Sequence, residues 1–174
     1  MRALTFWRIV VADDAGLLDR LVSVLKNRGI RYCVVGGQAV NAYVEPLVSL
    51  DLDLAVATDD LPGVEQLARQ GFAVDRFPHS LNLSLPGSDL RVQIQTDPRY
   101  AAFVDRAEMR EVLGLTLPVA LVGDVLQGKV WAAQDPTRRA SKRQKDFADI
   151  ARLIEAYPHL RSHVPAEILG KLIG

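Results

Sequence analysis

Residues 32–56 read YCVVGGQAVNAYVEPLVSLDLDLAV, and this stretch decides the fold. A Gly-Gly pair, Gly36 and Gly37, follows one apolar run, and Asp51 and Asp53 lie one residue apart inside a second. Residues i and i+2 of a strand point to the same face, so we expect the two carboxylates side by side. Two acids on one face of a buried strand need a cation, and such hard oxygen ligands suit Mg²⁺ with substrate phosphates.

The glycine pair predicts a phosphate site beside these acids. Glycine lets the backbone approach a ligand closely, and the N–H groups at a helix start attract phosphate. The sequence VVGGQAV lacks the G-x-G-x-x-G spacing of dinucleotide-binding folds. A GG turn or a D-x-D pair alone is more often structural, so the prediction depends on their combination.

Composition restricts the class of protein. The chain has 174 residues, 49% of them apolar and 24% charged, which indicates one folded unit. Lys+Arg and Asp+Glu both number 21, so no global charge attracts nucleic acid or membranes. The lone Cys33 excludes an internal disulfide and is expected in the core. Neither a signal-peptide pattern nor a membrane-spanning run is present, so we expect a cytoplasmic protein.

Apolar periodicity predicts alternating helices and strands. The first half is expected to contain a helix capped by Asp13 or Asp14 and ended by Gly29, a strand over 31–35, a short helix ended by Pro46, the strand bearing the two acids to about residue 57, and a helix from Asp59 or Asp60 to Gly71. The second half is expected to contain an antiparallel hairpin over 81–85 and 91–95, an apolar connector over 115–120, and helices over 101–112, 123–133, 142–156 and after Pro165.

The order GG, short helix, Ser-x-Asp-x-Asp closely resembles the signature of the nucleotidyltransferase superfamily related to DNA polymerase beta. The matching residues are Gly36, Gly37, Ser49, Asp51 and Asp53. The resemblance implies that the glycine turn holds a nucleoside triphosphate (NTP) and that Asp51 and Asp53 hold Mg²⁺ or Mn²⁺. It also implies a nucleotidyltransferase fold, an α/β (α+β) mixed sheet backed by helices.

A second match lies in residues 117–132 and 142–158, LPVALVGDVLQGKVWA and KRQKDFADIARLIEAYP. These segments look like the end of small bacterial nucleotidyltransferases of the AbiEii and minimal type, with a helical lysine and a Lys-Asp-x-x-Asp-Ile helix. The counterparts here are Lys129, Lys145, Asp146, Asp149 and Ile150. The resemblance spans residues 15–158, and it implies a core over 1–117 with a helical extension over 118–174 packed on it.

The activity implied by the resemblance is metal-dependent transfer of a nucleoside monophosphate from an NTP to a hydroxyl of a protein or RNA acceptor such as tRNA. A toxin–antitoxin system with a partner protein, and no membrane, is the implied setting. In this reading Lys129 and Lys145 neutralise the phosphate charge. Asp146 and Asp149 are expected to orient Lys145 on its helix.

Two positions depart from the family pattern. The third carboxylate of the family has Gln93 as its counterpart, and an amide offers a carbonyl oxygen without charge. Leu47 replaces an arginine that related sequences often carry. Asp97 and Asp89 are substitute acids about 13 Å from Gln93 along a strand, too far unless the chain bends. The alternative function is therefore a catalytically impaired member that binds nucleotide or a partner protein.

A basic segment between residues 138 and 145 contains five cations in eight residues: Arg138, Arg139, Lys142, Arg143 and Lys145. A charge run of this kind is usually a solvated surface. The other readings are a triphosphate or acceptor clamp, which we favour for Lys145 alone, and a nucleic-acid patch. Because the run contains no aromatic residue, a nucleic-acid patch is the weakest of the three.

Overall fold

The structure is a computed structural model, and it describes residues 16–172. The expected helix caps Asp13 and Asp14 lie outside the described residues. The strands are β1 Tyr32–Val35, β2 Asp51–Val56, β3 Ala73–Phe77, β4 Ser80–Ser84, β5 Arg91–Gln95, β6 Glu108–Val112 and β7 Leu115–Val119. The α-helices are α1 Leu17–Asn27, α2 Gly36–Tyr43, α3 Leu61–Val64, α4 Ala101–Arg106, α5 Val122–Gln134, α6 Ala140–Ala156 and α7 Ala166–Leu172. Short 3₁₀ helices span Thr58–Asp60, Glu65–Gln70, Pro98–Tyr100 and Pro158–His163.

The strands form one mixed sheet in the order β3-β4-β5-β2-β1-β7-β6. Strand β2 lies at its centre, antiparallel to β1 and parallel to β5. Strand β7 runs parallel to β1, and the pairs β3/β4, β4/β5 and β6/β7 are antiparallel. The predicted mixed sheet backed by helices is confirmed, and the predicted hairpin is the β4/β5 pair.

Helices pack on this sheet through apolar stripes at helical spacing. In α1, Leu17, Leu21 and Leu25 are fully buried, as the periodicity predicted. Helix α6 contributes Ile150 and Leu153 to the same core and packs on α5. None of the helices among residues 16–172 has the length and apolar character needed to cross a membrane.

The segment after α4 differs from its prediction. Residues 101–112 were expected to be one helix, but α4 ends at Arg106 and residues 108–112 form β6. The expected connector over 115–120 is strand β7, which pairs with β6 across a two-residue turn. Leu113 and Gly114 in this turn both have positive φ, 51° and 81°. Leucine is rare in such a turn, so no sequence signal marked the hairpin.

Two further elements depart from expectation. Strand β3 was not predicted, because it is an edge strand whose residues are mostly exposed and show no apolar alternation. The helix expected up to Gly71 is mostly 3₁₀, with a single α-helical turn at Leu61–Val64. The predicted division at residue 118 falls within β7, and a separate C-terminal unit stays a prediction.

Candidate functional site

The glycine turn joins the end of β1 to the start of α2 and contacts Asp53. Gly36 has a φ of 67°, a conformation that favours glycine. A Cβ at this position would overlap the Asp53 carboxylate, with its Cγ 2.9 Å away. Register explains the contact, because Val35 pairs with Asp53 across β1 and β2. The close approach of turn and carboxylate therefore requires glycine at position 36.

Gly37 faces the basic segment. A Cβ placed there would lie 3.9 Å from Lys145 Nζ and 4.0 Å from Ser49 Oγ. These distances put the Lys145 ammonium and the Ser49 hydroxyl beside the backbone of the turn. The predicted residues Gly36, Gly37, Ser49 and Lys145 thus line one cleft.

The loop before β2 is fixed by side chains of α2. Gln38 Nε2 donates to the Ser49 carbonyl at 3.0 Å, and Asn41 exchanges two hydrogen bonds with the backbone of Leu47. The Leu47 side chain itself is 58% exposed. Ser49 Oγ accepts from the Asp51 backbone N–H at 3.3 Å, which fixes the start of β2.

Asp51 and Asp53 share a face of β2, as their spacing predicted. Asp51 is neutralised by two cations: Arg91 Nε lies 3.0 Å from its Oδ1, and Lys142 Nζ lies 3.2 Å from its Oδ2. Among the hydrogen bonds and ion pairs between described residues, none involves the Asp53 carboxylate. Asp53 is thus a half-buried acid that lacks a directly bonded counter-charge within residues 16–172.

Burial raises the pKa of Asp53 above its ordinary value, because a charged carboxylate loses hydration at this position. The positive charge of Lys129 opposes that rise, whereas the negative charge of Asp51 adds to it. The net result is a carboxyl group whose charged form is disfavoured in the free protein. A cation bound beside it would reverse that effect.

Gln93 lies directly beside Asp53. The two residues pair in the parallel register of β5 and β2, so they share a face of the sheet. Gln93 as the counterpart of the family's third carboxylate stays a prediction. Asp97 does not line the cleft and instead binds Arg99 at 2.9 Å. Within residues 16–172, no group of three or more acidic, histidine or cysteine side chains lies close enough together to hold a metal ion.

Lys129 is a buried lysine on α5 with two acidic partners on α6. Its Nζ lies 2.9 Å from an Asp149 carboxylate oxygen and 3.2 Å from an Asp146 oxygen. Burial lowers the pKa of Lys129, but the Asp149 and Asp146 charges outweigh burial and the net pKa is raised. Asp146 and Asp149 therefore hold Lys129, which corrects the expectation that they orient Lys145.

The same two acids also bind arginines, Asp146 through both of its oxygens and Asp149 through the oxygen that Lys129 does not contact. Arg138 makes a bidentate pair with Asp146, at 2.8 and 3.0 Å, and Arg152 Nη1 lies 2.9 Å from Asp149. The Arg152 guanidinium also donates to the backbone carbonyl of Glu45 in the loop before β2. This buried network therefore joins α5, α6 and the edge of the cleft.

The basic segment is mostly engaged within the protein. Arg138 binds Asp146, Lys142 binds Asp51, and Arg143 donates to the backbone carbonyl of Asp135 at 2.8 Å. Lys145 is exposed and carries its ammonium to the glycine turn. The reading of this segment as part of the site is thus favoured over a free nucleic-acid patch.

Together these side chains enclose a cleft with a volume of about 130 Å³. Its lining includes all eight predicted site residues, Gly36, Gly37, Ser49, Asp51, Asp53, Gln93, Lys129 and Lys145. Acids and amides from the sheet form one side, and cations from α5 and α6 form the other. This pairing of an acidic floor with a cationic wall suits a metal-bound polyphosphate.

Chains of similar fold occur among solved structures. The solution structure of the antibiotic-resistance factor ANT(2'')-Ia has a TM-score of 0.59 at 14% identity, covering 86% of this chain and 90% of that chain. Its crystal structure with adenylyl-2''-tobramycin gives 0.56 at 13%, covering 86% and 98%. A nucleotidyltransferase-like protein from Paracoccidioides brasiliensis gives 0.53 at 19%, covering 83% and 77%. This chain has the nucleotidyltransferase fold. No family model and no curated protein matches the sequence, so the AbiEii-type resemblance stays a prediction.

The polar residues Gln95, Tyr100, Arg138 and Lys142 line the cleft of this nucleotidyltransferase fold but were not predicted as site residues. Arg91, which pairs with Asp51 without lining the cleft, was not predicted either. Arg91 and Gln95 have the same strand parity as Gln93, so parity alone could have indicated their face. Lys142 and Arg138 were noted only as members of a charge run. Lys142 contacts Asp51 across 91 residues, and Arg138 reaches Asp146 from the loop before α6 at a spacing of eight residues, so no helix or strand spacing in the sequence reveals either contact.

Proposed function

We propose that the protein transfers a nucleoside monophosphate from an NTP to an acceptor hydroxyl in a reaction that depends on Mg²⁺ or Mn²⁺. The observation that carries the proposal is the contact between Gly36 and Asp53. It brings a phosphate-binding turn and a carboxylate pair within one cleft. The acceptor oxygen forms a bond to the α-phosphorus, the bond from that phosphorus to the bridging oxygen breaks, pyrophosphate leaves, and the hydroxyl proton passes to water.

The residues present fit a magnesium ion. Asp51 and Asp53 offer carboxylate oxygens on one face of β2, and Gln93 adds a neutral amide oxygen beside them. Mg²⁺ is commonly held by one or two carboxylates together with substrate phosphates, so this set suffices for one ion. A bound ion would supply positive charge to the triphosphate and fix its orientation.

The chain's own groups bind and neutralise the triphosphate. The backbone N–H groups at Gly36 and Gly37 open α2, and a helix start attracts negative charge. Lys145 lies beside Gly37, where its ammonium can follow the charge that develops on the leaving pyrophosphate. Lys129 acts at the base of the cleft as a buried charge near Asp53, held in place by Asp146 and Asp149.

A second function has one observation in its favour. Gln93 stands in register beside Asp53, where a third carboxylate would complete the acidic set, and an amide contributes no charge there. This favours a protein that catalyses poorly and instead binds nucleotide or a partner protein, for example as one member of a toxin–antitoxin pair. For both functions we propose the cytoplasm as the compartment.

A transfer assay separates the two functions. Purified protein is incubated with Mg²⁺, each of the four NTPs labelled at the α-phosphate, and protein, tRNA and small-molecule acceptors. We expect label on one acceptor class, and Asp53→Asn should lower the rate by more than about 100-fold, beyond the usual cost of losing an outer-shell group. Asp59→Asn is the matched control, because Asp59 is 92% exposed outside the cleft. Nucleotide binding without transfer to any acceptor would favour the second function.

A further inference from the structure

A larger groove adjoins the candidate cleft on the side away from Lys145. It has a volume of about 740 Å³, within the range of ligand sites. Its floor is formed by β4 and β5, and its walls by the β3–β4 turn and by the end of α5 with the loop after it. Gln93, Gln95 and Tyr100 line both the groove and the cleft, so the two are continuous.

The floor of the groove is a row of amide side chains. Asn82 pairs with Gln93, and Gln93 pairs with Asp53, so the three side chains lie in register across β4, β5 and β2. The Asn82 Oδ1 atom is buried and has no hydrogen-bond partner among the described residues. A buried acceptor without a partner is costly, so a rotation of the Asn82 side chain that lets a ligand hydroxyl donate to it would be favoured.

The charges of the groove exclude a polyanion. Its lining contains two guanidinium groups, of which Arg99 is paired with Asp97 and Arg138 with Asp146. The cations Lys142 and Lys145 line the cleft and not the groove. A phosphodiester chain carries one charge per nucleotide and binds through unpaired cations. The lining of the groove, all of it within the described residues, contains no unpaired lysine or arginine.

Amides match hydroxyl groups, because both donate and accept hydrogen bonds. Phe77, 53% exposed at the groove wall, adds an apolar face of the kind that packs against C–H groups of a ring. Tyr100 adds a hydroxyl at the junction with the cleft, and burial raises its pKa to about 12, so it stays protonated at neutral pH. The groove therefore offers mostly neutral polar contacts and an apolar face, with the Asp135 carboxylate at its wall accepting hydrogen bonds from Thr137.

We infer that this groove binds the acceptor, and that the acceptor is an uncharged polyhydroxylated small molecule of saccharide size, not RNA or protein. The inference rests on the proposed function, since the groove opens onto the cleft assigned to the nucleotide. A ring on Phe77 with its hydroxyls on Asn82 and Gln95 would extend toward Gln93, where the groove meets the cleft.

Binding can be measured without catalysis. Trp131 lines the groove, and the chain contains one other tryptophan, Trp7, so Trp7→Phe leaves a single reporter of fluorescence. Maltose, trehalose and myo-inositol are titrated as neutral polyols, and a short single-stranded RNA and a Ser/Thr-rich peptide as the other acceptor classes. We expect a saturable change with a polyol and none with RNA or peptide.

Two variants locate the binding. Asn82→Leu and Gln95→Leu each remove an amide from the groove and should weaken polyol binding by about tenfold. Gln144→Leu, an exposed residue of α6, is the matched control and should leave it unchanged. Circular dichroism checks that each variant is folded, and Gln95→Leu carries the test if Asn82→Leu does not fold.

The outcomes are distinguishable from those of the proposed function. The inference is overturned if the protein binds only RNA or peptide. It is also overturned if the protein binds NTP but none of the polyols. Polyol binding that both amide variants leave unchanged also overturns it. If the amide variants weaken polyol binding but the protein neither binds NTP nor transfers label, the groove is a polyol site and the proposed function is contradicted.

Discussion

Replacement of Lys129 by methionine tests the buried network that joins α5 and α6. The ammonium of Lys129 lies 2.9 to 3.2 Å from two carboxylates, and the side chains of all three residues are at most 8% exposed. Breaking a buried ion pair by removing one partner costs about 3–5 kcal/mol. Because Arg138 still pairs with Asp146 and Arg152 with Asp149, we expect the lower end, about 3 kcal/mol.

Urea unfolding followed by circular dichroism measures this loss, and thermal unfolding should show a Tm lower by about 6–12 °C. Lys26→Met is the control, because Lys26 is an exposed lysine of α1 and its loss should cost less than about 1 kcal/mol. In the double variant Lys129→Met with Asp149→Asn, the loss of stability should be smaller than the sum of the two single losses. Lys129→Met already deprives Asp149 of one of its cations, so Asp149→Asn then removes a carboxylate that is less well compensated.

The pH dependence supplies a further check on Lys129. Its folded-state pKa is raised, so its stabilising contribution is fully present below the unfolded value of about 10.4. That contribution is lost as pH rises through the higher folded pKa. The stability difference between wild type and Lys129→Met should therefore be constant near neutral pH and shrink in strong alkali. A neutral-pH loss no larger than that of Lys26→Met would refute the network as described.

Three further predictions concern the cleft. Gly36→Ala should destabilise the protein by about 1–3 kcal/mol in urea unfolding and abolish nucleotide binding, because residue 36 has a positive φ and an added Cβ would clash with Asp53. Gly123→Ala is the control and should have neither effect, since the space around Gly123 is open. Asp53→Asn should stabilise the metal-free protein, because the raised pKa of Asp53 in the folded state means that its charged form opposes folding. The gain in stability should be absent at low pH and grow as pH rises through the folded-state pKa. A thermal melt that shows a loss of stability at neutral pH would contradict this. Gln93→Asp should tighten Mn²⁺ binding measured by isothermal titration calorimetry, because it adds a carboxylate in register with Asp53, and an unchanged affinity would remove Gln93 from the metal site.

Much of the site could be predicted from sequence because it depends on strand parity. The spacing of Asp51 and Asp53 fixed their shared face, and the alternation around Gln93 placed it on the same side of its own strand. Gln93 lies beside Asp53 because β5 pairs with β2 in a register that joins residues 40 positions apart. The order of motifs in the family implied this pairing, whereas strand parity alone does not predict it.

The remaining features depend on tertiary contacts or on unusual local conformations. The β6/β7 hairpin was missed because Leu113 adopts positive φ, which leucine rarely does. Asp146 and Asp149 were assigned to Lys145 because Asp146 follows it directly and Asp149 lies four residues after it on the same helix, and only packing of α5 on α6 shows that Lys129 is their partner. Burial of Cys33, by contrast, was confirmed, and it raises the pKa of the thiol to about 12.

Calorimetric titration with a non-hydrolysable ATP analogue, with and without Mg²⁺, tests most directly whether the glycine turn and the carboxylate pair form one nucleotide site. We predict saturable binding that requires the metal, is lost in Asp53→Asn and is retained in Asp59→Asn. Binding that needs no metal, or that survives in Asp53→Asn with unchanged affinity, would contradict the assignment of this cleft.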